Sequence, residues 1–451
     1  MPRTMKSLLF GLLLGCVLVN TGFAACTGSS PTWTSTPDQT SVSSCISRAS
    51  VGDTINVSAG SATWSGFTIS KAIILQGAGS TGSGTNISLT SIRALTINKQ
   101  TTGVTRINGF QFTATNGISD AAILIQEGGT WKTDYPLIIQ NNAFILNSSQ
   151  LIHQVPPGGV IYANNSFTGL SGTLNGDEAI HIYDPTDAAG SWTQTDTFGV
   201  RDAATTLSGT IAGTTGFLNT YVETNTCTNI ATLFTDVDDG GRIVFRYNTG
   251  TNCEFNSHGE GTSPYGIREW EIYNNSFLNS CSEGGSCGPL TNMQNDLWLK
   301  GATGVIFNNT SDSLYTSTWG NKPEVYPALD TNGSGGCPSG SGSYPLPHQL
   351  GQNYTTSQVT APFFLWNNTI NPGTGTSSVF HTSPGWMYGC STPVSGYLQS
   401  PRDYVDDSTS ATKPTSTGTW LDSYTPYTYP HPLTQGQGAP APPTNLQARP
   451  Q

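Results

Sequence analysis

Apolar and polar residues alternate in short runs along this chain, and the runs keep ending on asparagine. "PLIIQNNAF" (136–144), "GVIYANNSF" (159–167), "TYVETNTC" (220–227), "RIVFRYNTG" (242–250), "WEIYNNSFL" (270–278), "GVIFNNTSD" (304–312) and "FFLWNNTIN" (363–371) share this shape. With Asn142, Asn165, Asn225, Asn248, Asn275, Asn309 and Asn368 taken as equivalent, the spacings are 23, 60, 23, 27, 34 and 59 residues. Three residues before each asparagine stands an apolar side chain: Ile139, Tyr162, Val222, Phe245, Ile272, Ile306 and Leu365. Strand alternation sends that column inward, and it sends the residues two before each asparagine outward: Gln140, Ala163, Glu223, Arg246, Tyr273, Phe307 and Trp366. Asparagines stacked at one turn can bond to their equivalents above and below, and asparagine tolerates the left-handed backbone of a sharp turn. A coil of about 23 residues closed by such a turn predicts an all-β chain wound as a single-stranded right-handed parallel β-helix.

The N-terminal part adds an opening to this solenoid. Val42, Cys45, Ile46 and Ala49 have helical spacing, which predicts a short amphipathic helix capping the open end of the core. After it comes "VGDTINVSAGSATWSGFTISKAIILQGAG" (51–79). From about Cys45 to Asn371, this stretch and the "NNS/NNT" coils resemble the pectate-lyase-like superfamily of right-handed β-helix proteins. The resemblance implies the fold; one fold hosts many activities, so it implies only a class of function. The expected layout is a signal peptide over 1–25, a cap and first coil over 26–60, and the β-helix over 61–371. An irregular, loop-rich C-terminal region over 372–435 should pack on the helix, with a proline-rich tail or linker over 436–451.

Composition narrows the partners. The chain has 451 residues, 10% of them charged, and a net charge of −11, which does not suit a phosphate backbone, so no nucleic acid is expected. Arg3 and Lys6 precede the apolar run 8–19, and Gly22 and Ala24 are small enough for signal peptidase, predicting export to the periplasm or medium. That run is too short to span a bilayer, so no membrane insertion is expected, and the mature chain is read as a soluble monomer. The rival reading is lipidation at Cys26, for which "FAAC" is a poor lipobox. Removing Cys16 with the leader leaves eight cysteines, an even number suited to disulfides; Cys26 with Cys45 is the most natural local pair. "NNS" and "NNT" are also glycosylation sequons, but here they recur with the coil period.

Charge is concentrated in one place. From Asp236 to Glu271 there are ten charged residues in 36, well above the chain average. Asp236 and Asp238 lie 11 and 13 residues after Asn225, and His258 and Glu260 lie 10 and 12 after Asn248. That registration predicts one corner on adjacent coils, about 4.8 Å apart, with Arg242 and Arg268 starting neighbouring strands. His153 extends the column, and His181 sits in a second cluster with Asp177, Glu178 and Asp184.

Two enzyme readings follow, both acting on an acidic, uronate-containing polysaccharide. In β-elimination, Arg242, Arg246 or a Ca²⁺ held by Asp236, Asp238 and Asp239 neutralises the uronate carboxylate. His258 or Arg268 removes the proton at C5 and Tyr273 is the acid; Glu223 and Trp366 join Arg246 in lining the saccharide groove. In the hydrolytic reading, "DVDDGG", "SHGEG" and "IRE" resemble the polygalacturonase set, with Asp238 and Asp239 as paired carboxylates. Ser257, Glu260 and Trp270 depart from that pattern. The bland alternatives are a turn or structural Ca²⁺ site at Asp238 and Asp239, a loop cap at His258, and an ion pair from Arg268 to Glu269 or Glu271. A non-catalytic carbohydrate-binding surface protein is the third reading.

Overall fold

The computed structural model describes residues 26–115, 117–118, 120–129, 134–147, 150–170, 178–182, 219–237, 240–257, 267, 269–278, 297–312, 325–328, 350–354, 358–371, 398–407, 410–415 and 417–435. Short strands stack in parallel along one axis and form three faces of a β-helix. The first sheet runs from Thr32–Ser35 through Leu137–Gln140, Thr220–Glu223 and Arg242–Arg246 to Phe363–Trp366, and one strand further to Tyr404–Asp407. The other strands of each coil form two more stacks. One contains Phe110–Ala114 and Ala143–Leu146; the other contains Ile123–Gln126, Gln150–Gln154 and Glu178–Ile182.

The inward column is as the alternation predicts: Ile139, Tyr162, Val222, Phe245, Ile272, Ile306 and Leu365 are all at most 2% exposed and belong to one core. Phe112, Phe144 and Phe167 stack inside the second face at centroid distances of 5.6 and 4.8 Å. That column continues with Cys227 and Gly250 in register. Where the rings stop, Cys227 bonds to Cys253 of the next coil. Gly250 makes room for this, since a Cβ there would lie 3.3 Å from the Cys253 Cβ.

The asparagines form a continuous ladder. Asn142, Asn165, Asn225, Asn248 and Asn275 each present backbone N–H and side-chain Nδ2 to the Oδ1 of the next asparagine, at 2.9–3.2 Å. Asn309 does the same to Asn368. The left-handed position is the residue before, not the ladder asparagine itself: Asn141, Asn164, Thr224, Tyr247, Asn274, Asn308 and Asn367 all have φ between 47° and 58°. The turn is therefore bent by one residue and bonded by the next.

At the N-terminal end, Gln39–Arg48 forms the expected helix. Asp38 caps it by accepting from the Ser41 N–H at 2.9 Å, and Val42, Cys45 and Ile46 close the core. Cys26 and Cys45 are bonded. The two disulfides among the described residues suit an oxidising compartment, and no helix among those residues is long and apolar enough to cross a membrane.

The first sheet's outer face is not open. Gln140, Ala163, Glu223, Arg246, Tyr273, Phe307 and Trp366 point outward, yet none is more than 5% exposed. The C-terminal segment 417–435 covers them. Trp420 donates to Pro362 O, Tyr424 donates to Glu271 Oε2, Tyr429 stacks on Tyr247, and Leu433 O accepts from Arg106. Leu421, Tyr424 and Tyr427 join the sheet residues in a second apolar cluster.

One buried cation carries a pH signature. Lys99 is 1% exposed with its Nζ 3.4 Å from Gly158 O, and burial pushes its ammonium down to about 8, against the pull of Asp134 and Glu127. Between pH about 8 and its ordinary value of 10.5, the native chain holds fewer protons at this site than the unfolded one, so stability rises with pH. The shift corresponds to at most about 3 kcal/mol. Denaturant titrations at several pH values should show this rise in the wild type and its loss in Lys99→Met, which should also be the more stable form at neutral pH.

Candidate functional site

Of the charged edge expected around Asp236, the described residues hold a part. Asp238, Asp239, His258, Glu260 and Arg268 lie outside them. The registered strands end with Val237 opposite Ser257. Asp236 is opposite Asn256, eight residues after Asn248, rather than opposite His258. The offset expected from spacing fails because three extra residues lie between Ile230 and Thr235, where the pairing shifts.

The residues expected to bind substrate are placed elsewhere. Arg242 is fully buried, with Nη2 2.5 Å from Glu269 Oε2 and Nε donating to Asn219 at 3.2 Å. Arg246 donates from Nε and Nη2 to Glu223 Oε2 at 2.9 and 2.6 Å, and to the carbonyls of Tyr427 and Thr428. Tyr273 accepts from Arg246 at 2.9 Å, and burial pushes its phenol well up, so its proton is held. Trp366 stacks on Phe307 at 4.3 Å beneath Tyr424. The expected groove is therefore filled by the chain's own tail, and Glu223, Arg246, Tyr273 and Trp366 are interior groups of that interface.

The third face is where titratable groups reach the surface. Along it, Leu124, His153, His181, Asp236, Asn256 and Trp298 are successive register partners. The rings of His153 and His181 stack at 5.3 Å, 8° from parallel. Each imidazole has a carboxylate on Nδ1: Asp120 Oδ1 at 3.4 Å for His153, Glu178 Oε1 at 2.7 Å for His181. Gln150 donates to the other Glu178 oxygen at 2.8 Å, which fixes that carboxylate. His181 Nε2 faces Asp236 Oδ2 at 3.8 Å. At the end of the row, Arg93, half exposed, lies 3.4 Å from Asp120. Burial works against charge on Asp120, but the Ala121 N–H, His153 and Arg93 outweigh it and hold its carboxyl below the usual range.

This row joins Asp236 to the cluster that the sequence had set apart around His181. "QLIH" (150–153) and "EAIH" (178–181) share the same Ile-His ending, and aligning those two strands finds the stacked pair. Asp120 and Arg93 had no such signal. The expected Ca²⁺ ligands reduce, among the described residues, to Asp236, whose register neighbours are His181 and Asn256.

Geometrically, the row offers imidazoles positioned by carboxylates, beside an exposed arginine, on a flat sheet. That combination suits proton transfer next to an anionic ligand. In comparisons with known proteins, no protein-family model matches the chain and no curated protein matches it, so its assignment rests on the coil geometry and on this row.

Proposed function

We propose that this chain is a secreted, pectate-lyase-like β-helix enzyme that cleaves an acidic, uronate-containing polysaccharide by β-elimination on the outer face of its third sheet. The observation that carries the reading is the stacked pair His153 and His181, each held through Nδ1 by a carboxylate, on a chain with few charges. Elimination needs the uronate carboxylate neutralised and the C5 proton removed. Arg93 supplies the positive charge at one end of the row, and the neighbouring imidazole accepts the C5 proton through Nε2; the electron pair forms the C4–C5 double bond as the C4–O bond breaks, and the leaving oxygen takes a proton from water.

The test is incubation with a panel of acidic polysaccharides, following ultraviolet absorbance of the unsaturated product together with new reducing ends. Absorbance and ends rising together is the expected result, and His153→Gln should lower the rate by about 10²-fold or more. New ends without absorbance would point to hydrolysis; neither, across the panel, would remove the enzymatic reading.

A further inference from the structure

The pair His181 and Asp236 has a geometry that proton transfer alone does not explain. Gln150 donates to Glu178 Oε2 and His181 Nδ1 lies 2.7 Å from Glu178 Oε1. With Nδ1 against that carboxylate, Nε2 is the ring nitrogen turned toward the next coil, where it faces Asp236 Oδ2 at 3.8 Å, too long for a hydrogen bond. That distance is a little under twice the about 2.1 Å that Zn²⁺ keeps from imidazole nitrogen and carboxylate oxygen.

We propose that His181 Nε2 and Asp236 bind a divalent transition-metal ion, with Zn²⁺ or Mn²⁺ as the class, and that Glu178 orients the ring from behind. A carboxylate on the far nitrogen of a metal-binding histidine fixes its tautomer and raises its basicity. Glu178, His181 and Asp236 each offer a ligand atom within 4.8 Å of the others, and the nitrogen donor selects against Ca²⁺. Glu178 and Asp236 are buried while His181 is a fifth exposed, so solvent reaches the ring. A uronate carboxylate arriving there would add a further ligand, leaving His153 as the proton acceptor. The metal site itself does not depend on the polysaccharide reading.

The test is direct binding. Full-length protein is stripped with a chelator and titrated calorimetrically with Zn²⁺, Mn²⁺ and Ca²⁺, and Co²⁺ absorption reports the ligand field. One equivalent of Zn²⁺ or Mn²⁺ should bind, raise the melting temperature, and bind at least tenfold more weakly in both His181→Gln and Asp236→Asn. Ca²⁺ should bind at least tenfold more weakly than the preferred metal. Melts of the stripped variants check that they fold, and Glu178→Gln, which keeps an acceptor on Nδ1, should weaken binding less than either. Absence of stoichiometric binding to the wild type, or binding unchanged in both variants, overturns the site. Because no readout uses turnover, an inactive protein that binds metal counts against the enzymatic reading alone.

Discussion

Arg246→Ala is expected to destabilise the protein by about 3–5 kcal/mol and to free the C-terminal segment from the first sheet. The guanidinium is fully buried and joins four partners: Glu223, the Tyr273 hydroxyl, and the carbonyls of Tyr427 and Thr428. It also lies over the rings of Tyr221 and Tyr429, 5.4 and 5.3 Å from their centroids. Removing it leaves Glu223, 1% exposed, with the His431 N–H as one remaining bond to the tail. An uncompensated buried carboxylate costs far more than a surface ion pair contributes. The double variant Glu223→Leu/Arg246→Met should recover much of the loss, because it removes both charges. Urea midpoints measure the energy, and limited proteolysis near 408–435 measures the release. A wild-type midpoint and cleavage pattern for Arg246→Ala would refute this account.

The second large effect is expected at Asn248. Its carboxamide accepts from the Asn225 N–H and Nδ2 at 2.9 and 3.1 Å, and donates to Val222 O and Asn275 Oδ1 at 2.9 and 3.0 Å. Asn248→Ala strands the Asn225 N–H and the Val222 carbonyl in a region 2% exposed or less. At about 1–3 kcal/mol for each unsatisfied group, the variant should lose roughly 2–6 kcal/mol. Thr228→Ala, on an outward, partly exposed position of the same coil, should change stability by no more than about 0.5 kcal/mol. Equal effects for the two, by denaturant titration, would mean that the ladder follows the fold rather than holding it.

The solenoid was legible because its determinants are local and repeat. The side chain three before each asparagine faces the core whatever the rest of the chain does, and the ladder needs only the correct coil period. The cap helix and the Cys26–Cys45 bond were legible for the same reason: their residues lie within one short stretch. That the C-terminal region packs on the helix was expected, but which face it covers was not legible. Trp420, Tyr424, Tyr427 and Tyr429 occur in a segment without strand or helix period, so nothing local announced that they would seal Glu223 and Arg246. The third face was half legible. Its residue types were singled out, but the three extra residues between Ile230 and Thr235 moved Asp236 away from the expected partner. The 60 residues from Asn165 to Asn225 hid the coil that carries His181.

A stack of coils is in principle divisible, since each repeat contacts its neighbours and its ends can fray independently. The tail removes that freedom. Arg106 bonds to Leu433 across 327 residues, and Thr224 to Tyr429 across 205. Coils made early and coils made late thus share one cover, and that cover follows all of them in chain order. The coils it spans should therefore unfold as one cooperative unit, and the first sheet's outer face stays unsealed until the cover itself has been synthesised.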